Sequence, residues 1–158
     1  MNTLLDSDEL QPQVPARYAG FIVRVFAYFI DAIILGIINT TIIFISLAVM
    51  GIDDFGNFIT SDSTEGVVGL QLISFLVSLA YFAGMESSNK QATLGKLALN
   101  LKVVDEKGQQ LTQPRAAGRF LGKIVSSFIL LIGFIMVAFH PKKQGLHDVM
   151  ANTFVVFK

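Results

Sequence analysis

The stretch Gly20–Met50, GFIVRVFAYFIDAIILGIINTTIIFISLAVM, decides the fold. It is apolar apart from Arg24, Asp31 and a few amides and hydroxyls, and its nineteen residues from Ala32 to Met50 carry no charge. At ~1.5 Å per residue, nineteen helical residues cover ~28 Å, enough with their flanks to cross a bilayer core of ~30 Å. The spacing predicts a spanning helix over about 18–50 with a charged entry. Working outward, Val67–Met85 (VVGLQLISFLVSLAYFAGM) is a second uncharged run of nineteen residues, closed by Glu65 and Glu86, and predicts a second span over about 67–86. A third run, Ile124–Phe139, has only sixteen uncharged residues and contains Gly133. It sits in an apolar segment, 120–140, and reads either as a short spanning helix or as a re-entrant hairpin bent near Gly133.

Composition agrees. Of 158 residues, 53% are hydrophobic and 15% charged, against roughly 25% charged in soluble domains. Lys plus Arg and Asp plus Glu are equal at 12 each, so bulk charge attracts no nucleic acid. Cysteine is absent, which excludes disulfides, thiolate metal sites and cysteine nucleophiles. The acidic first residues (Asp6, Asp8, Glu9) lack the basic start of a cleaved signal, so the first span is expected to stay. Residues 1–16 read as a polar tail and 17–158 as one membrane domain.

Seven of the Lys and Arg residues lie between Glu86 and Lys123, and none lies between the first two spans. The positive-inside rule puts that basic segment, and with it the N-terminus, in the cytoplasm, and makes the inner membrane the expected location. The loop carrying Asp53, Asp54 and Asp62 then falls outside. Within the basic segment, 87–119, Leu99–Val104 alternates like a strand, and Asp105–Gly108 offers a turn from which Gln110–Thr112 returns. The C-terminal piece 152–158 (NTFVVFK) is a second strand candidate. Pairing it with Leu99–Val104 requires the third apolar segment to re-enter rather than span. The fold class expected is therefore a mainly α-helical membrane protein: two spans, a third apolar segment of either kind, and a small cytoplasmic β element.

The charges inside the first span need an explanation. Arg17, Arg24 and Asp31 are seven apart and share one stripe of the helix, each about 20° from the last. Arg24 is able to snorkel to lipid phosphate. Asp31 is too short for that, and a charge at bilayer depth costs at least ~2.5–3.5 kcal/mol. A direct Arg24–Asp31 pair is geometrically poor, because helix pairs form at three or four residues. Asp31 is thus protonated, hydrated or paired with a cation from another segment, for which Lys96, Arg119 and Lys123 are the candidates. Glu86 alone reads as a solvated boundary residue, and Asp148, after His147, as a helix-capping or turn aspartate. His140 and His147 support a metal site only weakly, and no cofactor is implied. The spacing of Gly118 and Gly122 matches a helix-packing pair.

Arg24 and Asp31, the segment QATLGKLALNLKVVDEKGQQL from Gln91 to Leu111, Arg115 and Arg119, and KKQGLHDVMANTFVV from Lys142 to Val156 together resemble the RDD family of membrane proteins. The resemblance runs from about Ala16 to the end. The family is named for one arginine at the start of its first membrane helix, one aspartate within it and a second aspartate further on, and Arg24, Asp31 and Asp148 stand at those positions. Thr93, Gly95 and Lys96 look like its connecting segment, and Ala151–Thr153 like its AGT with asparagine for glycine. The resemblance implies an integral membrane protein of undefined biochemistry, with transport of an unidentified ligand the usual suggestion.

Two functions are expected to compete. In the first, Arg24, Asp31 and Asp148, supported by Glu86, Thr93, Gly95, Lys96, Arg119, Lys123 and His147, form a transport-related site for a proton, cation or small solute. Such a site implies a homo-oligomer or another membrane protein as partner besides the bilayer. In the second, the charges are structural pins of an accessory or scaffold subunit. No motif for an enzyme is present.

Overall fold

The structure, a computed structural model, describes residues 17–50, 64–128 and 132–158. The two long apolar runs form helices α1 (Phe21–Met50) and α2 (Thr64–Glu86). Only 11% of the most apolar window of either is buried, so almost all of their aliphatic and aromatic surface faces outward. They meet along one stripe. Leu35 packs with Phe82, and Leu47 with Leu70, so twelve residues forward on α1 match twelve backward on α2 and the pair is antiparallel.

After α2 come a one-turn helix, α3 (Leu94–Ala98), and strand β1 (Leu101–Asp105). Helix α4 (Gln113–Phe128) and α5 (Ile132–Phe139) follow, then α6 (Leu146–Met150) and strand β2 (Thr153–Phe157). β1 pairs antiparallel with β2, Leu101 opposite Phe157 and Asp105 opposite Thr153. The chain entering α1 lies on the other edge of β2, through a bridge from Tyr18 to Val156 and the bond from Ala19 N to Val155 O (2.8 Å). Ala19, Ala27, Leu101, Val103, Leu111, Ala116 and Val155 form the core beneath.

The local return from Asp105–Gly108 to Gln110–Thr112 does not form a strand. Asp105 N closes the turn on Gln109 O (3.0 Å), Leu111 drops into the core, and α4 starts at Gln113, which leaves no length for a ladder. β2, distant in sequence, takes that place. Asn100 (φ 54°) and Asn152 (φ 49°) lead into the two strands in left-handed conformations. Asparagine tolerates that region better than most non-glycine residues, which is why it serves at 152 where the family pattern has glycine.

The apolar segment 120–140 leaves and returns to one place. Arg119 just before it and Asp148 on α6 after it meet through Nη2 and Oδ1 at 2.8 Å, whereas opposite membrane faces are ~30 Å apart. Helices α4 and α5 flank residues 129–131, which lie outside the described residues, and Gly133, where the bend is expected, is helical within α5. α4 is turned inside out. Arg119 is 1% exposed while Leu121 and Val125 are 49% and 44% exposed, the reverse of a helix lying on a water-facing surface. Gly122 packs on α6, where an added Cβ would meet His147 Cβ at 3.1 Å, so half of the expected glycine pair is used within the chain; Gly118 faces open space. The tail 1–16 and the acidic loop with Asp53, Asp54 and Asp62 lie outside the described residues.

Candidate functional site

The short connecting segment carries the first half of the site. Thr93 and Gly95 exist at the start of α3 to meet Asp31: Thr93 Oγ1 donates to Asp31 Oδ2 (2.6 Å), and Gly95 N and Tyr81 Oη donate to Oδ1 (both 2.7 Å). Thr93 occupies the cap position of α3 but caps nothing itself. The carboxylate from α1 does so instead, taking a backbone N–H that a helix start would leave unpaired. Such closeness requires glycine at 95, because a Cβ there would lie 2.0 Å from the Ala27 carbonyl oxygen.

Asp31 is 1% exposed and, among the described residues, makes no ion pair. The expected cation from Lys96, Arg119 or Lys123 is therefore not its partner. Three neutral donors, each of them charge-assisted by the carboxylate, do that work.

The three candidate cations converge instead on Glu86, which is fully buried rather than solvated. Lys96 Nζ and Lys123 Nζ (3.3 Å) both reach its Oε1, and Arg119 Nε lies 3.0 Å from its Oε2. Lys123 Nζ also sits 4.1 Å above the Phe82 ring. Arg119 then bridges onward, with Nη2 2.8 Å from Asp148 Oδ1 and Nη1 on the Thr153 hydroxyl. Asp148 Oδ2 accepts from Arg24 Nη1, while Arg24 Nη2 donates to Lys143 O (2.5 Å) and Nε to Ala19 O (3.0 Å). The guanidinium leans toward the helix N-terminus, as side chains on a helix do, and so meets α6 rather than Asp31. Asp148 also accepts from the backbone of Gly145 (3.2 Å), the capping role read from its sequence context.

The result is a continuous buried chain from Lys96 and Lys123 through Glu86, Arg119 and Asp148 to Arg24, built from five helices. Two of the three residues of the RDD signature, Arg24 and Asp148, are thus in contact, while the third, Asp31, bonds α3 instead. The chain belongs to the RDD family. The family profile matches residues 18–152. Two relatives come from Bacillus subtilis (strain 168): the uncharacterised protein YxaI, 39% identical over 148 residues, covering 89% of this chain and 97% of YxaI, and the uncharacterised membrane protein YteJ, 34% identical over 145 residues, covering 88% of this chain and 80% of YteJ. No solved structure matches the chain. With two helices long and apolar enough to span, this RDD protein is an integral membrane protein.

Electrostatics in the RDD site follow from burial. Burial pushes the Lys96 ammonium down to about 8, with Lys123 and Arg119 adding to the fall and Glu86 opposing it. Burial likewise pushes His147 down to about 3 against the pull of Asp148, so the ring, whose Nε2 is 3.3 Å from Asp148 Oδ1, is neutral at pH 7. For Asp148, burial acts to raise the carboxyl, but Arg119, His147 and Arg24 outweigh it and hold it below the usual carboxylate range. His140 stands apart, accepting from Lys142 N (3.3 Å), and the described residues hold no group of three metal-binding side chains.

Each residue expected at the site thus falls in one of two clusters, Asp31 with Thr93 and Gly95, and Arg24 with Glu86, Lys96, Arg119, Lys123, His147 and Asp148. Tyr81 and Thr153 were not foreseen. A tyrosine inside a spanning run has a hydroxyl that must find a partner, and that was the available signal.

Proposed function

We propose that the protein is a small transport-related membrane protein of the inner membrane, whose charged junction holds a proton or small charged solute near the cytoplasmic face. The observation that carries this reading is the imbalance of the junction: among the described residues, Arg24, Lys96, Arg119 and Lys123 face only Glu86 and Asp148. A pure structural pin is cheapest when its charges cancel, because an uncompensated buried charge costs several kcal/mol. Buried ionisable groups at membrane depth otherwise mark ion or substrate paths. The basic segment and the N-terminus face the cytoplasm by the charge bias, and α4 and α5 enter the bilayer from that side and return to it. Two spans do not enclose a path, so the working unit is an oligomer or a complex with another membrane protein.

A second reading, an accessory or scaffold subunit, is favoured by Asp31 alone, whose three donors make it a pin between α1 and α3. Proteoliposomes loaded with the pH dye pyranine separate the two. Pulses of acid, sodium chloride and potassium phosphate are expected to give a flux above that of empty liposomes, lost in Arg24→Gln protein that still elutes as a single species. Folded wild-type protein with no flux under any pulse would decide for the accessory reading.

A further inference from the structure

We infer that the corner formed by Glu86, Lys96 and Lys123 binds an oxyanion of the phosphate class, not a cation. The inference rests on the reading of the junction as a solute site and gives that solute a sign.

Three cations surround the one carboxylate of Glu86, and two of them, Lys96 and Lys123, address the same oxygen. Asp148 compensates Arg24, and Arg119 is divided between Asp148 and Glu86. The other acid near α3, Asp31, is withdrawn from the balance by Tyr81, Thr93 and Gly95. His147 adds no charge at neutral pH. The corner is therefore short of negative charge, and a metal or alkali cation entering it meets net repulsion.

Access points to the same place. Glu86 and Arg119 side chains are each 1% exposed, whereas those of Lys96 and Lys123 retain 10% and 14%. Lys96 and Lys123 are the members of the cluster whose side chains retain exposure, and each ammonium carries three donors of which the carboxylate uses one. A tetrahedral oxyanion has enough acceptor oxygens to engage both lysines without displacing Glu86. Two sources present that chemistry at a membrane face, free phosphate and the phosphate of a lipid headgroup.

The test uses the full chain in detergent micelles, following the temperature at which the single elution peak is lost. Potassium phosphate is compared with potassium chloride at equal ionic strength, and micelles doped with phosphatidylglycerol with micelles doped with phosphatidylcholine. A saturable upward shift with phosphate assigns the free ion. A shift with phosphatidylglycerol alone assigns the phosphate of an anionic lipid headgroup, one not already neutralised by a choline cation. Either supports the inference. Lys96→Gln and Lys123→Gln are each expected to weaken the apparent affinity at least about tenfold through loss of a charge-assisted contact, Lys123→Arg to restore it, and Lys102→Gln on β1 to leave it unchanged. Where a glutamine variant does not fold, broadening of the phosphorus resonance by the wild-type chain, relieved by excess sulfate but not by sodium, replaces it. Equal responses to phosphate and chloride with none to phosphatidylglycerol, or a shift that follows sodium against potassium, overturn the inference. Flux in liposomes without an anion response would remove the anion and leave transport; an anion response without flux would do the opposite.

Discussion

Gly95→Ala tests the junction of α1 with α3 more sharply than a change at Asp31 itself. Alanine is a better helix former than glycine by ~1 kcal/mol, so in an open helix the change stabilises. Here the new Cβ lies 2.0 Å from the Ala27 carbonyl oxygen and 2.9 Å from Asp31 Cγ. Ordinary contact begins at about 3.2 Å, and the Ala27 oxygen is backbone of a long helix that does not rotate away, so α3 has to retreat by more than about 1 Å. That carries the Gly95 N–H and the Thr93 hydroxyl out of bonding range of Asp31, from 2.7 and 2.6 Å. Each bond to the carboxylate contributes ~1.5–3 kcal/mol, and after the helix gain the net loss is ~2–5 kcal/mol. For a chain of this size the melting temperature falls on the order of 10 °C. With no cysteine or tryptophan to report on unfolding, the assay is the surviving elution peak after heating in detergent. Gly118→Ala, on the open side of α4, is the control, with a neutral or slightly raised midpoint. If the two variants melt alike, α3 does not rest on α1 as described and the capping of α3 by Asp31 is wrong.

Tyr81→Phe removes one donor from Asp31 and the acceptor of Leu94 N, and is expected to cost ~1.5–3 kcal/mol by the same heating assay; combined with Thr93→Val the losses will be non-additive, because both act on one carboxylate. Arg119→Lys will not rescue Arg119→Gln in yield or melting, since a single ammonium does not span Glu86, Asp148 and Thr153 at once. Acid should destabilise early: His147 titrates near 6.5 unfolded and about 3 folded, so the unfolded chain takes the proton first, stability falls as pH drops below about 6.5, and by pH 5 the loss is ~2 kcal/mol, less in His147→Gln. Single cysteines at Gln110 and Lys158, beside opposite ends of the sheet, will react with an impermeant thiol reagent from the same membrane face, the cytoplasmic one, and labelling from opposite faces would refute the returning course of α4 and α5.

The two spans were legible because a nineteen-residue uncharged run has few other uses, and the site residues because ionisable groups in or beside such runs must be answered somewhere. The pairing was not legible. Arg24 and Asp31 share a helix stripe, yet a long side chain leaning toward the helix start and a short one held at its own level meet different neighbours, α6 and α3. Glu86 reads as a solvated end residue until α4 is known to present its charges inward, and that orientation shows only when Leu121 and Val125 are seen on the outside. The strand at Leu101–Asp105 was recognisable from alternation, but its partner depended on whether a distant segment came back, which no local pattern decides.

The inward charges of α4 and the withdrawal of Asp31 belong to one arrangement. A helix with apolar residues outward is stable only against lipid, and its cations then have to be answered by acids carried on other segments. Among the described residues three acids lie within reach, Asp31, Glu86 and Asp148. Were Asp31 paired with Lys96, the neighbour of Gly95 on α3, the junction would hold four cations against three carboxylates. By bonding Thr93 and Gly95 it leaves two, and the absence of a side chain at 95 is what allows α3 close enough for that. Asp31→Asn therefore leaves the charge of the Glu86 corner unchanged and should alter folding stability more than any anion response. Lys96→Gln changes that charge directly and should do the reverse.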